Sequence, residues 1–79
     1  MIEYIIYAKE QCDFCQMAGA LLQEKGKKYK FVLFDEHEAV LAEIKNAYGH
    51  FTVPIIFRKS EFGYELVGGY TDLQKGLDT

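Results

Sequence analysis

Two cysteines, separated by two residues, stand between a strand-like segment and a helix-like segment. Cys12 and Cys15 are the only cysteines of the chain. The apolar run at 4–8 before them is typical of a buried strand, and apolar residues over 14–22 after them recur at helical spacing until Gly26. Two intervening residues are close to one helical turn, so both sulfurs can meet on the same face. The sequence therefore predicts a thiol pair at the start of a helix.

The start of a helix favours thiolate chemistry. A helix N-terminus carries unpaired backbone N–H groups and partial positive charge, and both lower the pKa of a nearby thiol. Cys12 stands at the start of the predicted helix, and Cys15 lies one turn inside it. We therefore expect Cys12 to be the exposed nucleophile and Cys15 to be the covered thiol that resolves its mixed disulfides.

The size and composition of the chain bound its class. Its 79 residues, 49% of them hydrophobic, suffice for one domain with one core, spanning 1–79. A net charge of −3 without a block of like charges argues against a nucleic-acid surface or an anionic-membrane anchor. No apolar run approaches the ~18 residues of a membrane span, and 1–4 lack the basic start of a signal peptide. Two cysteines in a chain expected to be cytoplasmic point to redox or metal chemistry.

The remaining patterns predict an α/β fold. Strands are predicted at 2–8, 29–34, 55–58 and 62–67, and helices at 13–25, 36–48 and from 71 onward. The second helix is predicted to begin with an Asp35 and Glu38 capping pair, and the last with a Thr71 to Gln74 capping box. The first strand–helix–strand unit should be parallel, and the last two strands should form an antiparallel hairpin around a turn at 59–63. The result is a four-stranded mixed sheet flanked by helices, with the cysteines beyond a strand end, where ligands of such sheets bind.

Two further segments carry constrained or polar groups. Pro54 is the only proline and follows Thr52 and Val53; the frequency of cis X–Pro bonds alone favours a trans bond here. The stretch Gly-Gly-Tyr-Thr-Asp at 68–72 would combine backbone amides with a carboxylate at a helix N-terminus, which suits a small ligand carrying both charges. The plain alternatives are a proline at the start of an edge strand and a strand end followed by a helix cap.

A zinc site is the metal alternative for the cysteine pair. It needs two more ligands, and His37 and His50 are the only histidines. They are separated by twelve residues, whereas a compact zinc finger separates its histidines by about three to five. We therefore predict no zinc site and assign no metal-binding residue.

Three motifs together resemble the glutaredoxin family. They are Tyr-Ala-Lys-Glu-Gln-Cys-Asp-Phe-Cys at 7–15, Thr-Val-Pro at 52–54 and Gly-Gly-Tyr-Thr-Asp-Leu at 68–73. Each motif alone is weak, but the set falls in family order and covers essentially the whole chain. The resemblance implies a thioredoxin-like fold of order β-α-β-α-β-β-α, with Pro54 in a cis peptide beside the cysteines.

The resemblance also implies catalytic Cys12 and Cys15 and a groove for glutathione. The residues that would bind glutathione are Lys9, Phe14, Thr52, Val53, Pro54, Gly69, Tyr70, Thr71 and Asp72. Lys9 would meet a carboxylate of glutathione, and Val53 would pair backbone to backbone with the tripeptide. Thr71 and Asp72 would bind its γ-glutamyl end.

The chain departs from the commonest family pattern in two places. Asp13 and Phe14 stand where the family usually has Pro and Tyr, so Phe14 would replace the Tyr as a groove wall. The family often has a basic residue or Gln near the end of the second helix as a further carboxylate contact, and Lys45 and His50 are the nearest candidates.

We expect a monomeric, cytoplasmic, glutathione-dependent thiol–disulfide oxidoreductase that reduces protein disulfides and glutathione mixed disulfides. Its partners would be glutathione and disulfide proteins, with ribonucleotide reductase as a target by family analogy; no permanently bound cofactor, nucleic acid or membrane is expected. Two alternatives stay open. One is a redoxin that is reduced by thioredoxin reductase; the other is a glutaredoxin that holds an iron–sulfur cluster between two chains through Cys12 and glutathione.

Overall fold

The computed structural model describes residues 1–77, and this part of the chain contains four strands and three helices. The strands are β1 (Glu3–Ala8), β2 (Lys28–Leu33), β3 (Ile55–Ser60) and β4 (Gly63–Gly68). The helices are α1 (Asp13–Glu24), α2 (Glu38–Tyr48) and α3 (Tyr70–Leu77). Their order confirms the predicted order of elements. None of the helices within 1–77 has the length and apolar content needed to cross a bilayer.

The four strands form the predicted mixed sheet in the order β2-β1-β3-β4. β1 runs parallel to β2 and antiparallel to β3, and β3 is antiparallel to β4. Tyr7 near the end of β1 lies opposite Ile55 at the start of β3, and Ile56 lies opposite Gly68 at the end of β4. At one end of the sheet, therefore, three segments lie close together: the segment after β1, the segment before β3 and the segment after β4.

Apolar residues pack on both faces of this sheet. Ile6 and Ile56 face α1 and α3 and pack with the wholly buried Cys15 and Leu22. Complete burial of a side chain such as Leu22 contributes roughly 1.5–3 kcal/mol. A second cluster on the other face contains Ile5, Ile55, Phe57, Phe34 and, from α2, Leu41. Because β1 is central and covered on both faces, consecutive residues along it are apolar, as its sequence indicates.

The second helix starts later than predicted. α2 begins at Glu38 instead of 36, with His37 at its N-cap and no side-chain capping bond. Asp35 instead accepts hydrogen bonds from the backbone N–H of Glu10 at 3.0 and 3.3 Å, and Glu38 forms an ion pair with Lys9. The predicted capping pair is therefore wrong, because both carboxylates bind the loop that follows β1.

The hairpin turn is also tighter than predicted. β3 continues to Ser60 and β4 begins at Gly63, so these two residues pair across a turn of two residues at 61–62. Ser60 Oγ accepts a hydrogen bond from the backbone N–H of Phe62 at 3.2 Å. The polar residues Lys59 and Ser60 were predicted to lie in the turn, but they belong to β3. A hairpin at the side of a sheet can carry polar residues that face solvent.

The last helix is capped by other residues than predicted. α3 begins at Tyr70, so Thr71 and Gln74 both lie inside it and the predicted capping box is wrong. The backbone N–H of Gly69 donates a hydrogen bond to Asp72 Oδ2 at 3.0 Å. This is the reciprocal half of a capping box, in which an acidic side chain at the third helical position returns to the N-cap N–H.

Candidate active site

Cys12 and Cys15 form a disulfide at the start of α1, with Cα atoms 5.2 Å apart. Cys12 is the N-cap residue, and the backbone N–H of Cys15 points at Cys12 Sγ over 3.1 Å. When the pair is reduced, an amide donor at that distance favours negative charge on the Cys12 sulfur. Cys15 is completely buried, whereas Cys12 is partly exposed. Cys12 is therefore the sulfur that a substrate can reach from outside.

The loop before β3 lies directly beside this sulfur. The Val53–Pro54 peptide bond is cis, as the family resemblance implies and contrary to the expectation from frequency alone. The carbonyl oxygen of Val53 is 3.8 Å from Cys12 Sγ. A peptide joined to Cys12 through a disulfide would thus run next to the backbone of Val53.

The corner between β4 and α3 places a carboxylate at the same end of the sheet. Gly68 has φ +118°, and a Cβ atom at this position would overlap the Asp72 carboxylate. Gly68 therefore needs to be glycine for both its backbone conformation and its space. Asp72 is fixed by the hydrogen bond from Gly69.

A groove of about 460 Å³ connects these segments. Its lining contains eight of the nine residues that the sequence assigned to glutathione binding: Phe14, Thr52, Val53, Pro54, Gly69, Tyr70, Thr71 and Asp72. The rings of Phe14 and Tyr70 lie 6.0 Å apart between centroids and form one wall. Residues from α1, the loop before β3 and the start of α3 are thus brought together beside Cys12.

Lys9, the ninth of these residues, does not line the groove. Its ammonium group pairs with Glu38 on α2. The hydrogen bond from Lys9 and its positive charge lower the pKa of the Glu38 carboxyl below its usual value. Lys9 is thus held by a carboxylate of the chain itself in this structure.

His50 lines the groove, whereas Lys45, the other candidate for a carboxylate contact, is not part of the lining. The imidazole of His50 packs against Gly69: its Cε1 and Nε2 lie 3.7 and 3.8 Å from the point that a Cβ on Gly69 would occupy. The only sequence signal for His50 was a basic residue near the end of the second helix. Within 1–77, no cluster of three or more His, Cys, Asp or Glu residues is arranged to hold a metal ion.

Comparison with known proteins shows which family this chain is similar to. The glutaredoxin family's sequence profile matches residues 4–62. Glutaredoxin 3 of Escherichia coli K12 is 37% identical over 68 residues, which cover 86% of this chain and 77% of that protein. The solution structure of a glutaredoxin from Brucella melitensis has a TM-score of 0.73 and 27% identity, and the match covers 99% of this chain and 80% of that one.

A third similarity is to a longer protein. Hybrid peroxiredoxin hyPrx5 of Haemophilus influenzae is 33% identical over 70 residues, which cover 89% of this chain. The match covers only 27% of that protein. A segment like this chain is therefore part of a larger polypeptide in that relative.

Proposed function

This chain belongs to the glutaredoxin family, a family of thiol–disulfide oxidoreductases, and we propose that glutathione is its reductant. The proposed substrates are protein disulfides and glutathione mixed disulfides, and Cys12 and Cys15 carry the exchange. One observation supports this most directly. The reachable sulfur of Cys12 lies 3.8 Å from the Val53 carbonyl, beside which the backbone of a bound tripeptide would run. Val53 and Asp72 both line the groove.

In the proposed reaction with a glutathione mixed disulfide, the Cys12 thiolate attacks the sulfur of the bound glutathione. A disulfide forms between Cys12 and glutathione, and the substrate leaves as a thiolate that takes a proton. The thiolate of a second glutathione then attacks the glutathione sulfur of this intermediate. Oxidised glutathione leaves, and the Cys12 thiolate is regenerated with the N–H of Cys15 beside it.

A protein disulfide uses both cysteines in the proposed reaction. Cys12 attacks one sulfur of the substrate, and the thiolate of Cys15 then attacks Cys12, which releases the substrate as a dithiol and leaves the Cys12–Cys15 disulfide. The structure has the cysteines in this oxidised form. Two glutathione molecules return the pair to the dithiol state and become one oxidised glutathione.

The proposed setting follows from this chemistry. A glutathione-reduced enzyme needs a compartment where glutathione is mainly reduced, such as the cytoplasm. We propose that the chain acts as a monomer without a permanently bound cofactor. Its protein partners would be disulfide proteins, among them a ribonucleotide reductase by family analogy.

A peroxiredoxin is a second candidate substrate, favoured by one observation. The relative from Haemophilus influenzae is named a hybrid peroxiredoxin, and this chain matches 27% of its length. We propose that a separate peroxiredoxin could exchange disulfides with Cys12 in the same way. The test is whether the chain, glutathione and glutathione reductase together sustain turnover of an oxidised peroxiredoxin.

The main proposal is tested with hydroxyethyl disulfide as substrate. NADPH oxidation is followed once with glutathione and glutathione reductase, and once with thioredoxin reductase without glutathione. Turnover in the first system supports a glutathione-dependent enzyme. Turnover with thioredoxin reductase alone contradicts the proposal and supports the alternative of a redoxin that this reductase feeds.

A further inference from the structure

β2 has a free backbone edge. Within 1–77 the strand order is β2-β1-β3-β4, so β2 lies at the side of the sheet and pairs with β1 alone. The outward N–H and C=O groups of such a strand can pair with an extended segment of another chain. Recognition of this kind takes its affinity from main-chain hydrogen bonds and its specificity from alternate side chains. The two faces of β2 therefore indicate which segment would fit.

One face of β2 is basic. Lys28 and Lys30 lie on the same face, because side chains alternate along a strand, and both are exposed. Glu3 is the cross-strand neighbour of Lys28 on β1, whereas Lys30 has Ile5 as its neighbour. Neither lysine forms an ion pair with a carboxylate of the described residues. This face is thus complementary to carboxylates on an added strand.

The other face of β2 is apolar and borders a pocket. Tyr29 and Phe31 are half-buried and pack against the core cluster that contains α1. A pocket of about 280 Å³ lies between these rings and α1, where Gln16 and Gly19 belong to its lining. Leu33, the next residue on this face, is exposed. An apolar side chain of an added strand would remove part of this surface from water, which is favourable.

The lysines disfavour a second copy of the chain as the occupant. Pairing two β2 edges would bring the lysines of both copies together, and like charges opposite each other destabilise a strand pair. Lysines on free edge strands commonly prevent such self-pairing. Lys25 and Lys27 precede the strand and add to the local positive charge, although the chain as a whole has a net charge of −3. An acidic segment is attracted where another copy is repelled.

We propose that the free edge of β2 binds an extended segment of a partner protein in which acidic and apolar residues alternate. The segment adds to the sheet as a further strand. Its carboxylates lie beside Lys28 and Lys30, and its apolar side chains lie over Tyr29 and Phe31. β2 does not line the groove beside Cys12, so a partner held at this edge leaves that groove open. The site does not depend on the proposed use of glutathione.

Synthetic peptides test the chemistry of the segment. The probe is acetyl-Val-Glu-Val-Glu-Val-Glu-Val-amide. Its counterparts have lysine in place of glutamate, or the same composition as acetyl-Val-Val-Val-Val-Glu-Glu-Glu-amide. Two further forms carry N-methyl groups on either the valines or the glutamates, which blocks the N–H groups on one side of the strand or on the other. Dissociation constants are measured by NMR titration of the isotope-labelled protein.

The protein variants separate the strand face from the general positive charge. Lys28→Gln with Lys30→Gln removes both charges of this face. Lys25→Gln with Lys27→Gln is the matched control, because it removes two exposed charges from the segment before β2. Lys28→Glu with Lys30→Glu reverses the charge of the face. Thermal melting checks that each variant is folded, and the peptide comparison on the wild type needs no variant.

The alternating acidic peptide should bind and shift the amide resonances of β2. Neutralising Lys28 and Lys30 should weaken it about tenfold, or about 1.4 kcal/mol, as expected for two opposite-charge cross-strand pairs. The control pair of substitutions should weaken it much less. The charge-reversed variant should prefer the lysine peptide. One of the two N-methylated peptides should keep binding and the other should lose it.

Five results would overturn the proposal. They are absent binding of the alternating acidic peptide, equal binding of the rearranged peptide, and binding of both N-methylated forms, which would mean that no strand is added. An equal loss in the control variant, or tighter binding of a short DNA duplex, would mean a general basic surface. Resonance shifts confined to the groove beside Cys12 would place the peptide there instead.

Discussion

Asp13 is the residue whose charge most directly concerns the reactive sulfur. It follows Cys12, lies exposed in the first turn of α1 and stands where the family usually has proline. A carboxylate there is favourable for the helix dipole, by about 0.3–1 kcal/mol. The same charge disfavours a thiolate on Cys12, because like charges repel. Asp13 thus favours helix formation at the expense of the thiolate.

We expect Asp13→Pro to increase the thiolate fraction of Cys12 and to make the pair more oxidising by tens of millivolts, since about 30 mV corresponds to 1.4 kcal/mol. Proline is tolerated at the first helical position. Redox titration against a glutathione buffer and thiolate absorbance against pH measure the two effects. Asp13→Asn is the control that removes the charge without the ring. An unchanged or more negative potential in both variants would mean that Asp13 does not tune the cysteine pair.

Glu38 would compete with glutathione for Lys9 under the proposed function. Because Lys9 pairs with Glu38 in the structure, a glutathione carboxylate that bound Lys9, as proposed, would share or replace this ion pair. We expect Glu38→Gln to lower the KM for a glutathionylated peptide by about two- to fivefold, a small effect because exposed ion pairs are weak. The control Glu36→Gln removes a neighbouring negative charge. An equal change in both variants, or a higher KM in Glu38→Gln, would show that Glu38 does not compete for Lys9.

The sequence could predict most groove residues because they belong to short motifs with fixed spacing. Phe14, Val53 and Asp72 each lie within such a motif. His50 was one of two candidates for a basic residue near the end of the second helix, and only the structure shows that it packs on Gly69, nineteen positions further along the chain. The pairing of Lys9 with Glu38 was missed for the same reason, because it depends on where α2 begins.

At the scale of elements, α1 contains an interior glycine that the structure does not require. Gly19 is buried, but a Cβ there would meet the rings of Phe31 and Tyr29 at 3.7 Å, an ordinary contact distance. We expect Gly19→Ala to stabilise the protein by about 0.5–1 kcal/mol, because glycine loses more backbone entropy in a helix. The melting temperature should rise by a few degrees, at roughly 4–8 °C per kcal/mol for a domain of this size.

Gly49→Ala is the matched control for Gly19→Ala. Nothing lies within 4 Å of a Cβ at Gly49, yet its φ is +63°. The left-handed conformation costs an L-residue about 1–2 kcal/mol, so this variant should be less stable despite the open space. Chemical denaturation of both variants measures the difference. A loss of stability in Gly19→Ala would mean that β2 cannot accommodate the added methyl group.

Element types were predictable where apolar periodicity was strong, as in β1 and α1. Boundaries were less predictable where a polar side chain had a choice of partners. Asp35 could cap α2 or bind the N–H of Glu10, and the structure uses the second arrangement. Thr71 was predicted to cap the last helix, but α3 begins at Tyr70 and the Gly69 N–H bonds to Asp72 instead.

At the scale of the whole molecule, topology followed from few rules. A parallel strand–helix–strand unit and a hairpin leave few ways to build one sheet, and the order β2-β1-β3-β4 satisfies them. The sequence did not contain the distances across the sheet edge. The approach of Val53 to Cys12 at 3.8 Å appears only when β3 pairs beside β1.

The same packing gives the two cysteines different exposure to solvent. Cys15 is completely buried in the cluster of Ile6, Ala18 and Leu22 between the sheet and the helices. Cys12 lies at the margin of that cluster, with its sulfur beside Val53. A substrate disulfide can therefore reach Cys12 first, and Cys15 can act only on a partner already joined to Cys12.

We expect Cys12→Ser to abolish reduction of both glutathione mixed disulfides and protein disulfides. Cys15→Ser should keep turnover of glutathione mixed disulfides, which needs one thiol, and lose most reduction of protein disulfides. Because a serine hydroxyl at the buried position costs stability, Cys15→Ala is the control, and it should match Cys15→Ser in both assays. The assays use a glutathionylated peptide and a disulfide-bonded protein. Equal loss from Cys12→Ser and Cys15→Ala with both substrates would mean that burial does not decide which sulfur attacks.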